Sequence, residues 1–201
     1  PVTAADLKAQ GAMTALMRDA ARPNLVQTME GGLAFVHGGP FANIAHGCSS
    51  VLATRAALGL ADFVITEGGF ASDLGAEKYL HIATPGIGVD PSAIVLVATV
   101  RALKHHGDGD LAAGIANLER HMQHLGQYGI PVVVSINRFA DDTEAELALI
   151  SERVVAKGGE VAVADPFGSG GEGCRALATK VAEATARPAK FQRLYDLDAP
   201  I

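Results

Sequence analysis

The sequence has no tryptophan, only two cysteines, and no apolar run long enough to cross a bilayer. Cys48 and Cys174 lie far apart and outside any CxxC or mixed Cys/His spacing, which favours reduced thiols in a cytoplasmic protein. The 16 Lys and Arg residues are spread along the chain against 22 Asp and Glu, giving a net charge of −6. We therefore expect neither a nucleic-acid partner nor a membrane partner.

Several catalytic and nucleotide-binding motifs are also missing. The sequence contains no G-x-x-x-x-G-K-[ST] phosphate loop, no G-x-S-x-G nucleophile elbow and no G-x-G-x-x-G after its first apolar strand. His121 and His124 are three residues apart on a predicted helix but have no third ligand nearby, so an exposed helix face is favoured over zinc binding. These absences argue against a self-contained nucleotide-binding domain.

Short apolar runs alternate with amphipathic stretches, and this predicts an α/β fold. The runs over 93–99 and 131–137 are apolar at nearly every position, which is typical of parallel strands covered on both faces. We expect a doubly wound, mostly parallel, Rossmann-like or P-loop-NTPase-like sheet with helices on both faces. Further strands are predicted over 24–29, 33–36, 62–66 and 161–164, and helices over 3–21, 43–58, 73–80, 111–128, 143–157 and 172–186. The stretch T-E-A-E fits a capping box at the start of the 143–157 helix, with Glu146 at the third helical position.

The predicted domain covers residues 1–187, and residues 188–201 read as a tail that leads to a further region. The sequence begins with proline rather than methionine, and both ends have the character of internal sequence. We therefore expect an internal portion of a longer chain.

Glycine and charged residues cluster after each predicted strand, where ligands bind in open parallel sheets. The first such stretch, HGGPFANIAHG, places His37, Asn43 and His46 in a loop whose glycines permit close approach of a ligand to the backbone. Asn43 is a candidate helix cap, and the N–H groups of a helix start favour an anion. The alternative is a tight turn in which both histidines are satisfied locally.

The other strand ends carry further candidates. Arg101 and Lys104 suit a carboxylate or phosphate, unless they are ordinary surface charges. Phe139 and Phe167 follow neighbouring strands, so the two rings together are candidates to sandwich a flat heterocycle; either alone more often covers the core. Glu67 and Asp73 could hold a cation or an orienting hydrogen bond, although a helix cap by Asp73 and an exposed Glu67 are favoured.

Taken in order, these stretches resemble the formate–tetrahydrofolate ligases, also called formyltetrahydrofolate synthetases. The resemblance extends over essentially the whole chain and rests on PVTAADLKAQGAM, RPNLVQTMEG, AFVHGGPFANIAHGC, FVITEGGFASDLGAEK, VATVRALK, NRFADDTEAE and GGEG. It implies an ATP-dependent ligase that makes 10-formyltetrahydrofolate from formate and tetrahydrofolate through formyl phosphate. It also implies magnesium, a stimulating monovalent cation, and a homo-oligomer of full-length chains.

The resemblance assigns substrate contacts to particular residues. Ala45 and Leu74 are implied to contact formyl phosphate, with His37, Asn43 and His46 nearby, and Phe139 and Phe167 to stack on the pterin. The sequence departs from the family in having Phe167 where tryptophan is common and HGD where HGG is expected after VATVRALKH. The family's phosphate loop, its formate-side arginine and its C-terminal region are not in this sequence. We expect the chain alone to be inactive; the alternative is a non-catalytic folate-binding or scaffold module.

Overall fold

The computed structural model describes residues 2–38 and 46–200 and has an α/β fold with two separate sheets. The first sheet is an antiparallel hairpin and the second is parallel. The strands are β1 (Asn24–Gln27), β2 (Leu33–Val36), β3 (Ile94–Ala98), β4 (Val132–Asn137) and β5 (Glu160–Ala164). The α-helices are α1 (Gln10–Ala20), α2 (Val51–Leu58), α3 (Thr84–Ile87), α4 (Val100–His106), α5 (Leu111–Gly126), α6 (Glu144–Ala156), α7 (Pro166–Ser169) and α8 (Arg175–Thr185). Two π-helical segments span Ala71–Ala76 and Tyr79–Ala83, and a 3₁₀ turn spans Glu172–Cys174.

The parallel sheet has the order β3-β4-β5 and carries the main core. Val134 and Ile136 of β4 pack with buried residues of α5 and α6 on one face. Because side chains alternate along a strand, Val133 and Ser135 point to the other face, where α8 packs on β4 and β5. Helices therefore cover both faces of this sheet, as predicted. The strand order runs in one direction, and the described residues contain no reversal of the kind that marks a doubly wound sheet.

The sequence patterns located the parallel strands and the α6 cap correctly. All three runs form strands within a residue or two of the predicted limits. Thr143 caps α6 in a capping box with Glu146, because the Thr143 hydroxyl accepts the Glu146 N–H while the Glu146 carboxylate accepts the Thr143 N–H.

Several predicted elements differ in the structure. Within the described residues the helix predicted over 43–58 spans only Val51–Leu58, and the helix predicted over 73–80 is replaced by the two π-helical segments. Residues 62–66 do not form a strand: Phe63 and Ile65 are exposed, and no neighbouring strand pairs with them in the described part of the chain. The first helix begins at Gln10 rather than residue 3, because residues 3–6 form a turn closed by Asp6 and Lys8 has a positive φ of 51°.

The last described residues pack back onto the domain. Phe191 stacks on Tyr128, and Tyr195 stacks on His81 with ring centroids 4.1 Å apart. The Leu194 N–H donates to His81 Nε2, and the Gln192 N–H donates to the Tyr128 carbonyl. None of the helices in the described ranges is both long and apolar enough to span a membrane.

Candidate functional site

The carboxyl ends of β3, β4 and β5 form one rim, because the three strands are parallel and adjacent. The sequence placed candidate ligand contacts after five predicted strands, but only three of these five stretches lie at this rim. The stretch after β2 follows an antiparallel hairpin, and the stretch after 62–66 follows no strand. The rim is therefore built from 99–107, 138–143 and 165–173.

Arg101 and Phe139 are in direct contact at the rim. The Arg101 guanidinium carbon lies 5.2 Å from the centre of the Phe139 ring, within the range of a cation–π interaction. Phe139 is 40% exposed, so part of its ring is accessible from outside the core. Among the described residues, no carboxylate forms an ion pair with Arg101, whereas Lys104 pairs with Glu146 and Arg138 with Glu144. Arg101 thus keeps its donor fork available for an external anion.

The backbone around Phe139 is fixed by a reciprocal turn. The Phe139 N–H donates to the Asp142 carboxylate at 2.9 Å, and the Asp142 N–H donates to the Phe139 carbonyl at 3.1 Å. Sequence reasoning missed Asp142; its signal was an Asp three residues after the aromatic, a spacing that closes such turns.

Lys104 and Glu146 form an ion pair beside this turn. The hydrogen bond from Lys104, helped by Thr143, lowers the pKa of Glu146 from its usual 4.5 to about 2. The same hydrogen bond raises the pKa of Lys104. Both directions agree with a charged pair at neutral pH.

The loop that carries Phe167 follows β5 and is next to the loop that carries Phe139, which follows β4. The Arg138 N–H donates to the Ala164 carbonyl at 2.9 Å, so the loops after β4 and β5 leave the sheet together. Asp165 then caps the short helix α7 through the Gly168 N–H, and the Phe167 ring is fully exposed. The two rings, both within the described ranges, make no direct contact with each other.

A carboxylate from the hairpin reaches the glycine loop of this rim. Glu30, in the turn between β1 and β2, accepts the Gly171 N–H at 2.7 Å. A Cβ atom at Gly171 would stand 2.5 Å from a Glu30 oxygen, so a side chain at this position would displace the Glu30 carboxylate.

His37 is held by the fold at both ring nitrogens. Its Nε2 lies 2.8 Å from the Ala20 carbonyl, which can only accept, so Nε2 carries the proton. Its Nδ1 then accepts from the Ser50 hydroxyl, while Ser50 itself accepts the Ala53 N–H as the cap of α2. Both ring nitrogens of His37 are therefore satisfied by local hydrogen bonds, as in the alternative interpretation of this stretch as a tight turn.

The remaining residues of the HGGPFANIAHG loop are described only in part. Asn43 and Ala45 lie outside the described residues, and the cap of α2 is Ser50 rather than the proposed Asn43. His46 is exposed. The next residue, Gly47, touches the following loop, because a Cβ atom at Gly69 would lie 3.0 Å from the Gly47 carbonyl oxygen.

Leu74 lies away from the Phe139 rim. It belongs to the π-helical segment Ala71–Ala76, where the buried Ser72 hydroxyl lies 2.6 Å from His121 Nδ1 and 3.0 Å from His124 Nδ1. These histidines are in the second half of α5, which leads to the amino end of β4, whereas Phe139 follows its carboxyl end. The structure therefore brings together Arg101, Phe139 and Phe167 but not Leu74.

The described side chains form no evident metal centre. No group of three or more His, Cys, Asp or Glu side chains in the described ranges could hold a metal ion. His121 and His124 instead share the Ser72 hydroxyl. Cys48 is buried, and burial, with a smaller contribution from Glu67, raises the pKa of its thiol. That environment makes Cys48 a poor nucleophile.

A parallel sheet covered by helices on both faces makes this an α/β protein, and the exposed aromatics and the unpaired guanidinium at its carboxyl rim are candidate ligand contacts. The chain belongs to the formate–tetrahydrofolate ligase family, whose family model matches residues 1–201.

Three bacterial relatives, each named formate–tetrahydrofolate ligase, illustrate the match. The Methylobacillus flagellatus protein is 54% identical over 193 residues, covering 90% of this chain and 35% of the relative. The Lacticaseibacillus paracasei protein is 51% identical over 207 residues, covering 98% and 37%. The Paracoccus denitrificans protein is 51% identical over 212 residues, covering 100% and 38%. The chain thus spans little more than a third of the length of these curated relatives.

Proposed function

We propose that this chain is the part of a formate–tetrahydrofolate ligase that binds the folate ring system. The pteridine stacks against Phe139, and Phe167 on the neighbouring loop closes the other side. The observation that carries the proposal is the contact of the unpaired Arg101 guanidinium with the exposed Phe139 ring at 5.2 Å. A flat heterocycle with polar edges suits an aromatic face bordered by a planar donor fork.

The reaction proposed for the complete ligase has two steps. Formate oxygen attacks the γ-phosphorus of ATP, giving formyl phosphate and ADP. A tetrahydrofolate amine then attacks the formyl carbon, loses its proton, and expels phosphate to leave 10-formyltetrahydrofolate. Mixed anhydrides of this kind require fixed N–H donors and little water.

The residues assigned to the anionic intermediate lie in a second region of the chain. His37, Asn43, Ala45 and His46 belong to one loop and Leu74 to the segment that follows it, and the close approach of Gly47 to Gly69 supports a pairing of the two. Formyl transfer requires this region to meet the Phe139 rim. We propose that the two regions meet in a doubly wound sheet completed by the rest of the ligase.

ATP, magnesium and a monovalent cation belong to the full-length enzyme in this proposal. The sequence contains no phosphate loop, and the described side chains offer no set of metal ligands. No step assigned to this chain passes through a metal ion. A cytoplasmic location and assembly into homo-oligomers are part of the same proposal for the full-length protein.

The purified 201-residue chain tests this division of labour. We expect saturable binding of tetrahydrofolate in isothermal titration and no formate-dependent ADP release with ATP and magnesium present. Absence of tetrahydrofolate binding would contradict the proposal and favour a scaffold role. Turnover by the chain alone would contradict the assignment of ATP binding to other parts of the ligase.

A further inference from the structure

Two side chains of helix α4 contact the segment that follows β4. Arg101 and Lys104 are three residues apart and therefore lie on one side of the helix. The Arg101 guanidinium covers Phe139, and the Lys104 ammonium pairs with Glu146. Both contacts end in the short stretch 139–146, which follows β4 and includes the first residues of α6.

This stretch is rigid in its own right. The reciprocal hydrogen bonds between Phe139 and Asp142 fix the turn, and the capping box of Thr143 and Glu146 fixes the start of α6. The Glu146 carboxylate thus caps α6 and also receives Lys104.

Arg101 needs such support to remain over the ring. Its side chain is exposed and has no carboxylate partner among the described residues, and a long flexible side chain loses much rotamer freedom when it is held in one place. A fixed position for the α4 backbone reduces the number of conformations in which the guanidinium leaves Phe139. The Lys104–Glu146 pair supplies that fixed position one turn along the helix.

We propose that Lys104 is a positioning residue for ring binding at Phe139. Its ion pair with Glu146 sets α4 against the 139–146 stretch, so that Arg101 covers one face of Phe139 and leaves the other face for the ligand. The inference rests on the proposed function, because it concerns the same aromatic ring. Lys104 itself contacts no ligand.

Because the Lys104–Glu146 pair is partly exposed, its effect on ligand binding can be measured separately from its effect on stability. The side chains of Lys104 and Glu146 are 44% and 21% exposed, and such surface pairs contribute little to folding. Lys104→Met, which removes the pair but leaves the cap of α6 intact, should therefore weaken ligand binding while the thermal midpoint stays nearly the same. If the pair served only to stabilise the fold, its loss would lower the thermal midpoint and leave the ligand affinity unchanged.

The first test needs no ligand. In the 201-residue chain, NMR should show Arg101 side-chain protons shifted upfield by the Phe139 ring, and Phe139→Leu should abolish the shift. Lys104→Met should reduce it and Lys104→Arg should restore it. Glu146→Gln should also reduce it while keeping α6 capped, since glutamine serves at this position of a capping box. An unchanged shift in Lys104→Met overturns the proposal.

The second test measures affinity by isothermal titration with tetrahydrofolate. Lys104→Met should weaken binding about threefold, as expected for an exposed ion pair, and Lys104→Arg should recover it. In a Phe139→Leu background Lys104→Met should have no further effect. Equal weakening in both backgrounds overturns the inference. If the wild-type chain binds no tetrahydrofolate, the proposed function fails, and the ring-shift experiment still decides whether Lys104 positions Arg101.

Discussion

The Arg138 N–H donates to the Ala164 carbonyl across 2.9 Å, which joins the ends of β4 and β5 at their last rung. Phe139 and Phe167 follow these two residues by one and three positions. Neighbouring strands are about 4.8 Å apart, so the two loops begin almost in contact. The two loops that carry the exposed aromatics are therefore hydrogen-bonded to each other where they leave the sheet.

The size of the second ring should limit the affinity for folate. The resemblance implies that Phe167 stands where the family commonly has tryptophan, and the larger indole offers more stacking area. We predict that Phe167→Trp strengthens tetrahydrofolate binding several-fold in isothermal titration and that Phe167→Ala weakens it. Phe70→Ala, at another exposed phenylalanine, serves as the control and should leave the Kd unchanged. An unaltered Kd in all three variants would remove Phe167 from the site.

The position of α4 depends on close backbone packing at Gly114. A Cβ atom there would lie 1.7 Å from the Leu103 carbonyl oxygen, so Gly114→Ala must push α4 away from α5. We predict a loss of at least about 2 kcal/mol in the free energy of unfolding, in the range for overpacked interiors, together with weaker tetrahydrofolate binding.

Gly126 provides the matched control for this prediction. It is the last residue of the same helix, and a Cβ atom placed there would have no neighbouring atom within 4 Å. Gly126→Ala should be neutral or stabilising by up to about 1 kcal/mol. Urea unfolding of both variants provides the comparison, and equal effects would show that α4–α5 packing is not the cause.

Ser72 should hold the Leu74 segment on α5. One hydroxyl donates a single proton, so it donates to one imidazole Nδ1 and accepts from the Nδ1–H of the other. We predict opposite neutral tautomers for His121 and His124 in the ¹⁵N spectrum of histidine-labelled protein near pH 8. Ser72→Ala should abolish this difference and destabilise the fold by about 1–3 kcal/mol, whereas Ser72→Thr should largely preserve it. Identical tautomers in the wild-type chain would contradict the shared hydrogen bond.

The Glu146 pKa of about 2 predicts a specific dependence of stability on pH. A carboxyl group with a lowered pKa in the folded state stabilises the fold fully above its unfolded value of 4.5 and loses that contribution as the pH falls towards 2. Glu146→Gln, which loses both the Lys104 ion pair and the charged acceptor for Thr143, should therefore be slightly less stable than wild type at pH 7, and the two should converge only as the pH falls below about 2. Urea midpoints measured across this range provide the test; a constant difference would exclude linkage to Glu146.

The sequence was most informative where a pattern is satisfied locally. The apolar runs at β3, β4 and β5 predict buried parallel strands because few other structures accept such runs, and T-E-A-E specifies its own cap. Arg101, Phe139 and Phe167 could be chosen because they follow these strands. Their grouping at one rim then follows from parallel pairing.

The sequence patterns could not predict which distant segments of the chain pair with each other. The run at 62–66 has the composition of a strand, but composition does not supply a partner, and none pairs with it in the described part of the chain. Likewise, nothing in the sequence around Ser72 indicates that its partners lie on α5, some 50 residues away. The sequence predicted one sheet for all these strands. Because the β1–β2 hairpin is a separate sheet and 62–66 is not a strand in the described residues, the grouping of Leu74 with Phe139 stays a proposal.

The most direct test of the account is the affinity of the 201-residue chain for tetrahydrofolate with and without the Phe139 ring. Isothermal titration should show saturable binding to wild type, a loss of about tenfold or more in Phe139→Ala, and no change in Phe63→Ala, which removes an exposed ring outside the rim. Equal affinities for wild type and Phe139→Ala would contradict a folate site at this rim.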